Sequence, residues 1–162
     1  MIFISLGTQK FQFDRLLRHV DELIEEGFIN EPVFAQIGNS TYQPKNYDFS
    51  NFLTQADFEE KIRESTIFLT HGGVGSITTG LKYKKKVVVY PRLAEFGEHI
   101  DDHQTQITAK YKELGYVLTA SNKNELVDAL MESLTFVSKF NGMMANDVIS
   151  KKIDIYIEEE II

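Results

Sequence analysis

Ser65-Thr66-Ile67-Phe68-Leu69-Thr70, followed by His71-Gly72-Gly73-Val74-Gly75-Ser76, is the stretch on which the fold of this chain is read. The first half is a short apolar run that suits a buried strand. The second half is a turn with three glycines in four positions. Such a turn bends tightly and lets something come close to the main chain. The residues after it, Ser76 to Tyr83, are compatible with a helix. A helix that opens straight from a glycine turn presents N–H groups to an anion, so a phosphate is the expected visitor.

Outward from this stretch, strands and helices alternate. Met1 to Leu6 reads as a strand, broken by Gly7-Thr8-Gln9. Phe13, Leu16, Leu17, Val20, Leu23 and Ile24 recur at helical spacing, with Asp14 adding charge to the first turn and Gly27 closing the helix. Pro32 to Ile37 and Tyr47 to Leu53 read as strands, and Asp57 to Glu64 as a short helix. Beyond the glycine turn come a strand at Val87 to Tyr90 stopped by Pro91, a helix over Ile100 to Leu114, a strand at Tyr116 to Thr119 and a helix over Asn124 to Leu134. This order predicts an α/β domain, one parallel sheet flanked by helices, over residues 1–162. Val148, Ile149, Ile153, Tyr156, Ile157 and Ile161 form a one-sided stripe, which predicts a C-terminal helix over about 142–160. That helix either packs on the chain's own sheet or docks a partner.

Ligands of such sheets bind outside the carboxyl ends of the strands. Three loops in that position are rich in glycine and polar residues: Gly7 to Asp14, His71 to Ser76 and Arg92 to Gln104. The glycines do not form a dinucleotide fingerprint, because the third is not at the required spacing, and no Gly-Lys-Ser/Thr follows to make a P-loop. They serve either an approaching ligand or tight strand-to-helix packing alone. His71 is either a donor near a phosphate or a core-edge histidine, and Ser76 either a phosphate contact or a helix cap. Asp102 and Gln104 can accept from and donate to sugar hydroxyls, or can simply open a solvated helix, where Asp favours the dipole. Glu98, His99, Asp101 and His103 do not have the spacing of a zinc motif, so no metal is expected. Lys84-Lys85-Lys86 reads as a solvated turn.

Composition narrows the classes. With 162 residues, 43% hydrophobic and 25% charged, the chain matches one ordinary globular domain. A formal net charge of −7 disfavours nucleic acid as a general partner. The chain has no cysteine, which excludes disulfides and thiolate chemistry. No apolar run reaches the roughly 20 residues of a membrane span. The N-terminus lacks a basic leader, and a cytoplasmic location is expected.

Taken together, His71-Gly72-Gly73-Val74-Gly75-Ser76, Pro91-Arg92, Gly97-Glu98-His99 and Asp101-Asp102-His103-Gln104 resemble the signature of the C-terminal domain of family 28 glycosyltransferases. The likeness extends to Ile2-Phe3-Ile4-Ser5-Leu6-Gly7-Thr8, Phe13-Asp14-Arg15-Leu16 and Phe34-Ala35-Gln36-Ile37-Gly38, and so to nearly the whole chain. The most similar branch is that of small stand-alone subunits of bacterial capsule and exopolysaccharide synthesis. These are in turn similar to the catalytic subunit of the eukaryotic two-component transferase that extends a dolichol-linked saccharide with GlcNAc. The resemblance implies the donor-binding half of a GT-B enzyme, a Rossmann-like domain that uses a UDP-sugar as donor and no cofactor. It also implies a membrane-anchored partner subunit that binds a lipid-linked saccharide acceptor, and through it a peripheral place at the inner face of the membrane. A non-catalytic nucleotide-sugar-binding module is the alternative, and a homodimer would cover the cleft face of a chain left alone.

The same resemblance implies roles residue by residue. Gly7 and Thr8 lie near the diphosphate. Gly72, Gly73, Val74, Gly75 and Ser76 supply N–H groups and a hydroxyl to it, with His71 and Arg92 beside them. Phe52 and Leu53 border the uracil, and Asp102 and Gln104 hold the transferred sugar. Glu98 and His99 are the candidates for a catalytic base, which the partner could equally supply. One position departs from the pattern. The wider family often carries Glu eight positions after the motif histidine, on the ribose hydroxyls, and this chain has Thr79 there.

Overall fold

The computed structural model describes residues 1–142. Six strands form one all-parallel sheet: β1 (Ile2–Ser5), β2 (Val33–Gln36), β3 (Asp48–Ser50), β4 (Ile67–Thr70), β5 (Lys86–Val89) and β6 (Leu118–Thr119). Their spatial order is β3-β2-β1-β4-β5-β6. The helices are α1 (Asp14–Glu25), α2 (Gln55–Glu64), α3 (Val74–Lys82), α4 (His103–Glu113) and α5 (Lys123–Glu132).

The strand period of two divides the apolar residues between two cores. Ile2, Ile4, Leu69 and Val88 face one side, where Leu16, Leu17 and Val20 of α1 and Leu126 and Ala129 of α5 meet them. Phe3, Phe68, Val87 and Val89 face the other, against Ile62 of α2, Ile77 and Leu81 of α3, and Ile107 and Tyr111 of α4. With helices on both faces, the strands are continuous apolar runs, as a parallel sheet requires. This is the predicted Rossmann-like α/β fold.

Most element ends shift by one to three residues from the sequence reading, for local reasons. The third strand stops at Ser50, because the Leu53 N–H turns to the Gln36 side chain (2.9 Å) and the ladder ends at Asn51. Helix α2 starts earlier than expected, where Thr54 caps it by accepting from the Asp57 N–H (3.1 Å). Helix α4 starts later, because the Asp101 and Asp102 carboxylates bend the chain before it. The lysine turn is not simply solvated. Lys84 occupies the left-handed region (φ 57°), Lys85 Nζ donates to the carbonyls of Arg63 and Ser65, and Lys86 Nζ donates to those of Ser133 and Leu134. The predicted C-terminal helix lies outside the described residues, apart from Gly142 at its start.

Helix α1 carries two inward carboxylates that fix the approach to β3. Asp14 accepts from the Thr41 N–H (2.8 Å), the Tyr42 N–H (3.0 Å) and the Thr41 hydroxyl. Asp21 accepts from the Lys45 and Asn46 N–H groups (2.9 Å each) and the Tyr42 hydroxyl (2.6 Å). Burial and Asp21 push the Tyr42 hydroxyl pKa up to about 12. Asp14, expected as a dipole charge, is also a loop anchor.

The strand order reverses between β1 and β4. From β1 the chain builds outward through β2 and β3, then returns to lay β4 on the other side and continues to β5 and β6. The crevice at the carboxyl ends of β1 and β4 is where a ligand of this architecture sits.

Candidate functional site

The loops that leave β1, β2 and β4 meet at this reversal point. Thr70, at the end of β4, donates from Oγ1 to the Ser5 carbonyl (2.8 Å) and ties the two central strands together at their tips. His71 follows, 5% exposed, with its ring packed between Gly7 and Gly73. A Cβ at Gly7 would lie 2.7 Å from the His71 ring, and one at Gly73 would lie 2.3 Å from it. Gly7 also has φ +73°, which disfavours a side chain. A Cβ on Gly38, in the loop after β2, would lie 2.8 Å from the Gly7 carbonyl. Gly72 is closed in by α4: its Cβ would come within 2.6 Å of the Gln104 Cβ and 2.8 Å of the Gln104 carbonyl. These glycines are required by packing.

Gly75 is different. It is exposed, in the first turn of α3, and a Cβ there would meet nothing within 4 Å. The end of α3 on which it sits has Gly73 as N-cap, no side-chain cap and no acidic residue in its first turn. Helices α2 and α5 have side-chain caps from Thr54 and Asn122, whereas α1 and α4, like α3, have none. The first N–H groups of α3 thus carry positive potential toward the crevice, with no carboxylate of their own to satisfy them.

Gln104 holds this turn from behind. It is fully buried, and its Oε1 accepts from the N–H groups of Gly72 (3.0 Å) and Arg92 (3.2 Å). Its Nε2 lies 3.0 Å from His71 Nδ1, and His71 Nε2 lies 3.2 Å from the Ser76 Oγ. Burial, and then the Arg92 charge, hold the His71 pKa down to about 3, so the ring is neutral at ordinary pH. The unfolded chain protonates this histidine near its ordinary 6.5. Its contribution to stability is therefore complete above pH 6.5 and is lost progressively as pH falls toward 3. The slope approaches about 1.4 kcal/mol per pH unit. Between pH 7 and 5, denaturant titrations of the native protein should lose more stability than those of His71→Gln; parallel curves would contradict the buried neutral ring.

The loop after β5 is built on arginines. Arg92 is 1% exposed, and its guanidinium donates to the carbonyls of Leu6 (2.6 Å), Phe11 (3.1 Å), Gln12 (3.2 Å) and Glu98 (3.1 Å). It thus joins the loops after β1 and β5. Glu98 has no exposed surface. Its Oε1 accepts from Arg15 Nη2 and the Leu93 N–H (2.9 Å each), and its Oε2 from Arg15 Nε (3.0 Å). Arg15 also donates to the Tyr90 hydroxyl (2.9 Å) and lies over the Phe96 ring. His99 is buried beside Phe11, with Nδ1 3.2 Å from Asp101 Oδ1.

The geometry sorts the expected site residues. Gly7, His71 to Ser76 and Gln104 come together at the reversal point. Thr8 is exposed on the β1 loop. Asp102 is exposed at the head of α4, with Oδ1 accepting from the Ala94 N–H (2.9 Å). Thr79 is half-buried one turn into α3, its hydroxyl donating to the Gly75 carbonyl (2.8 Å). Phe52 is exposed at the tip of β3, two strands and so roughly 10 Å from β1; Leu53 beside it is half-buried. Arg92, Glu98 and Gln104, read from sequence as groups facing a ligand or a proton, have their polar atoms turned inward onto the loops. Arg15, whose task is to hold Glu98, went unassigned in sequence, because nothing in a helical register marks which basic residue turns back to a loop 83 positions away.

A family model, "Glycosyltransferase family 28 C-terminal domain", matches residues 1–157. The chain belongs to this family. A protein of Bacillus subtilis (strain 168) described as an uncharacterized UDP-glucosyltransferase, YdhE, is 25% identical over 137 residues; the match covers 76% of this chain and 30% of that protein. The crystal structure of the glycotransferase of kitacinnamycin shares the fold at a TM-score of 0.60 and 18% identity, covering 94% of this chain and 37% of that one. The NMR structure of ALG13 shares it at a TM-score of 0.55 and 20% identity, covering 94% of this chain and 93% of that one. The chain thus spans about a third of YdhE and of the kitacinnamycin enzyme, and nearly all of the ALG13 chain. Among the described residues, no helix is long and apolar enough to cross a membrane, and no group of three His, Asp or Glu side chains could hold a metal ion.

Proposed function

We propose that this chain is the donor-binding part of a UDP-sugar-dependent glycosyltransferase of the GT-B type. In this reading it works with a membrane-associated partner that holds a lipid-linked saccharide acceptor, in capsular or exopolysaccharide synthesis. The observation that carries the reading is the head of α3. An uncapped helix end opens on the crevice at the reversal point, with the one motif glycine that packing does not demand, Gly75, on its open side. Membership of family 28 and the UDP-glucosyltransferase name of the Bacillus relative support a nucleotide-sugar as the anion.

The diphosphate would lie against the N–H groups of Val74 to Ser76 and the Ser76 hydroxyl, close to Gly7 and Thr8. Phe52 would border the base, and Asp102 would reach the transferred sugar. The acceptor hydroxyl attacks the anomeric carbon in line, the bond to the β-phosphate oxygen breaks, and the sugar inverts. Charge gathers on the leaving UDP, where the helix end and its N–H groups stabilise it most. His99, or a group on the partner, takes the acceptor proton. Glu98 serves by holding the loop, because its oxygens are committed to Arg15 and Leu93.

The test is sugar transfer from UDP-hexoses to a lipid-linked acceptor, by this chain alone and co-expressed with a candidate partner. Transfer only with the partner is the expected result. UDP binding without transfer in either case would make the chain a nucleotide-sugar-binding module. Absence of UDP binding would overturn the reading. Unchanged turnover in His99→Ala would assign the base to the partner.

A further inference from the structure

We propose that Gln104 and His71 are positioning residues that make the Ser76 hydroxyl an outward hydrogen-bond donor, matched to an anionic oxygen at the head of α3. This rests on the nucleotide reading above and adds a polarity to it.

The direction of each hydrogen bond follows from the one before. Two main-chain N–H groups, of Gly72 and Arg92, point at Gln104 Oε1. Only the amide oxygen accepts them, so the orientation of the amide is fixed. Gln104 Nε2 is then a donor, and its partner at 3.0 Å, His71 Nδ1, is an acceptor. A neutral imidazole that accepts at Nδ1 carries its proton on Nε2. That proton points to the Ser76 Oγ at 3.2 Å, so the serine accepts on its inner side. Its own proton is left for another acceptor. Among the described hydrogen bonds, Ser76 makes none to the carbonyls of its own helix, whereas Thr79, one turn further, spends its hydroxyl on Gly75. Ser76 is half-buried, like Thr79, and keeps some surface open to solvent. A phosphate oxygen accepts and never donates when ionised, so it matches the proton that Ser76 has left to give. His71 thus acts through Ser76 and does not itself need to touch the ligand.

Two measurements on the whole chain test this. The first is ¹⁵N NMR of the histidine rings without ligand. His71 should be the Nε2–H tautomer from pH 8 to 5; an Nδ1–H ring, or one that titrates near 6.5, overturns the relay. The second is calorimetric titration with UDP. Ser76→Ala and His71→Leu should each weaken binding about tenfold, the scale of one hydrogen bond to a charged group. The double variant should be no weaker than Ser76→Ala alone. His71→Gln, whose amide can donate from nearly the same point, should stay within about threefold of the native affinity. It also covers the case in which His71→Leu does not fold. Additive losses in the double variant, or no rescue by glutamine, overturn the positioning role. A native chain with the expected tautomer that binds no UDP sinks the nucleotide reading instead, and with it the assignment of this donor to a phosphate.

Discussion

Replacing Arg92 with alanine is expected to cost about 3 kcal/mol or more of stability, on the scale of breaking a buried charged network. The guanidinium is 1% exposed and is the shared donor for four main-chain carbonyls, from Leu6, Phe11, Gln12 and Glu98. Each buried carbonyl left without a donor costs roughly 1–3 kcal/mol, and the lost stem leaves a cavity under Phe13. Removing the charge also removes its own desolvation cost, so the total falls short of the sum. For a domain of this size the loss corresponds to a fall in Tm of roughly 10 °C. Arg92→Lys should fall in between, since one ammonium cannot span the carbonyls that the planar fork reaches. UDP binding should weaken in Arg92→Ala even below its Tm, because the loops after β1 and β5 lose their common anchor. An alanine variant within about 0.5 kcal/mol of the native protein, the usual range for surface changes, would show that the loops hold without it.

The second large effect is a contrast between neighbours. Gly75→Ala should leave the fold as stable as before or stabilise it by about 0.5–1 kcal/mol, since alanine suits a helix better than glycine and nothing lies within 4 Å of the new methyl. The same methyl stands at the open head of α3, where the diphosphate is proposed to lie, and UDP affinity should fall about tenfold or more, the cost of modest overpacking. Gly72→Ala should do the reverse. Its Cβ would sit 2.6 Å from the Gln104 Cβ and 2.8 Å from the Gln104 carbonyl. The carbonyl is main chain and cannot swing aside, so a stability loss of about 3 kcal/mol is expected. Thermal melts and UDP titrations on the two variants read both effects. If Gly75→Ala is destabilised, or binds UDP as well as the native chain, the division of the glycines into packing and ligand-facing positions is wrong.

What the sequence made legible was the periodic part. Apolar runs at Ile67-Phe68-Leu69 and Val87-Val88-Val89 announce buried strands, and the glycines between a strand and a helix announce the tight turn at the reversal point. Those signals are local, and the fold follows from them. The inward direction of polar side chains is not local. Gln104 reads as a sugar ligand because it stands beside exposed aspartates, yet its amide reaches Gly72, 32 positions earlier. Glu98 reads as a base because it lies in a polar loop, yet its partner is Arg15 on α1. Such pairings depend on where loops from distant βα units meet, and neither period nor spacing encodes that. Three of the motif glycines were equally ambiguous, since packing and ligand approach leave the same residue behind.

The His71 ring wedged between Gly7 and Gly73 has a consequence for how such sequences drift. Gly73 has an ordinary extended conformation (φ −75°, ψ 132°), so the bar to a side chain there is steric, and the nearest obstacle is the ring 2.3 Å from where a Cβ would stand. Gly7 is barred twice, by the ring and by its own left-handed φ. Exchange at 73 is thus conditional on a smaller residue at 71, while 7 stays fixed whatever happens there. In a library randomised at the three positions, survivors with alanine at 73 should be those that have also lost the histidine.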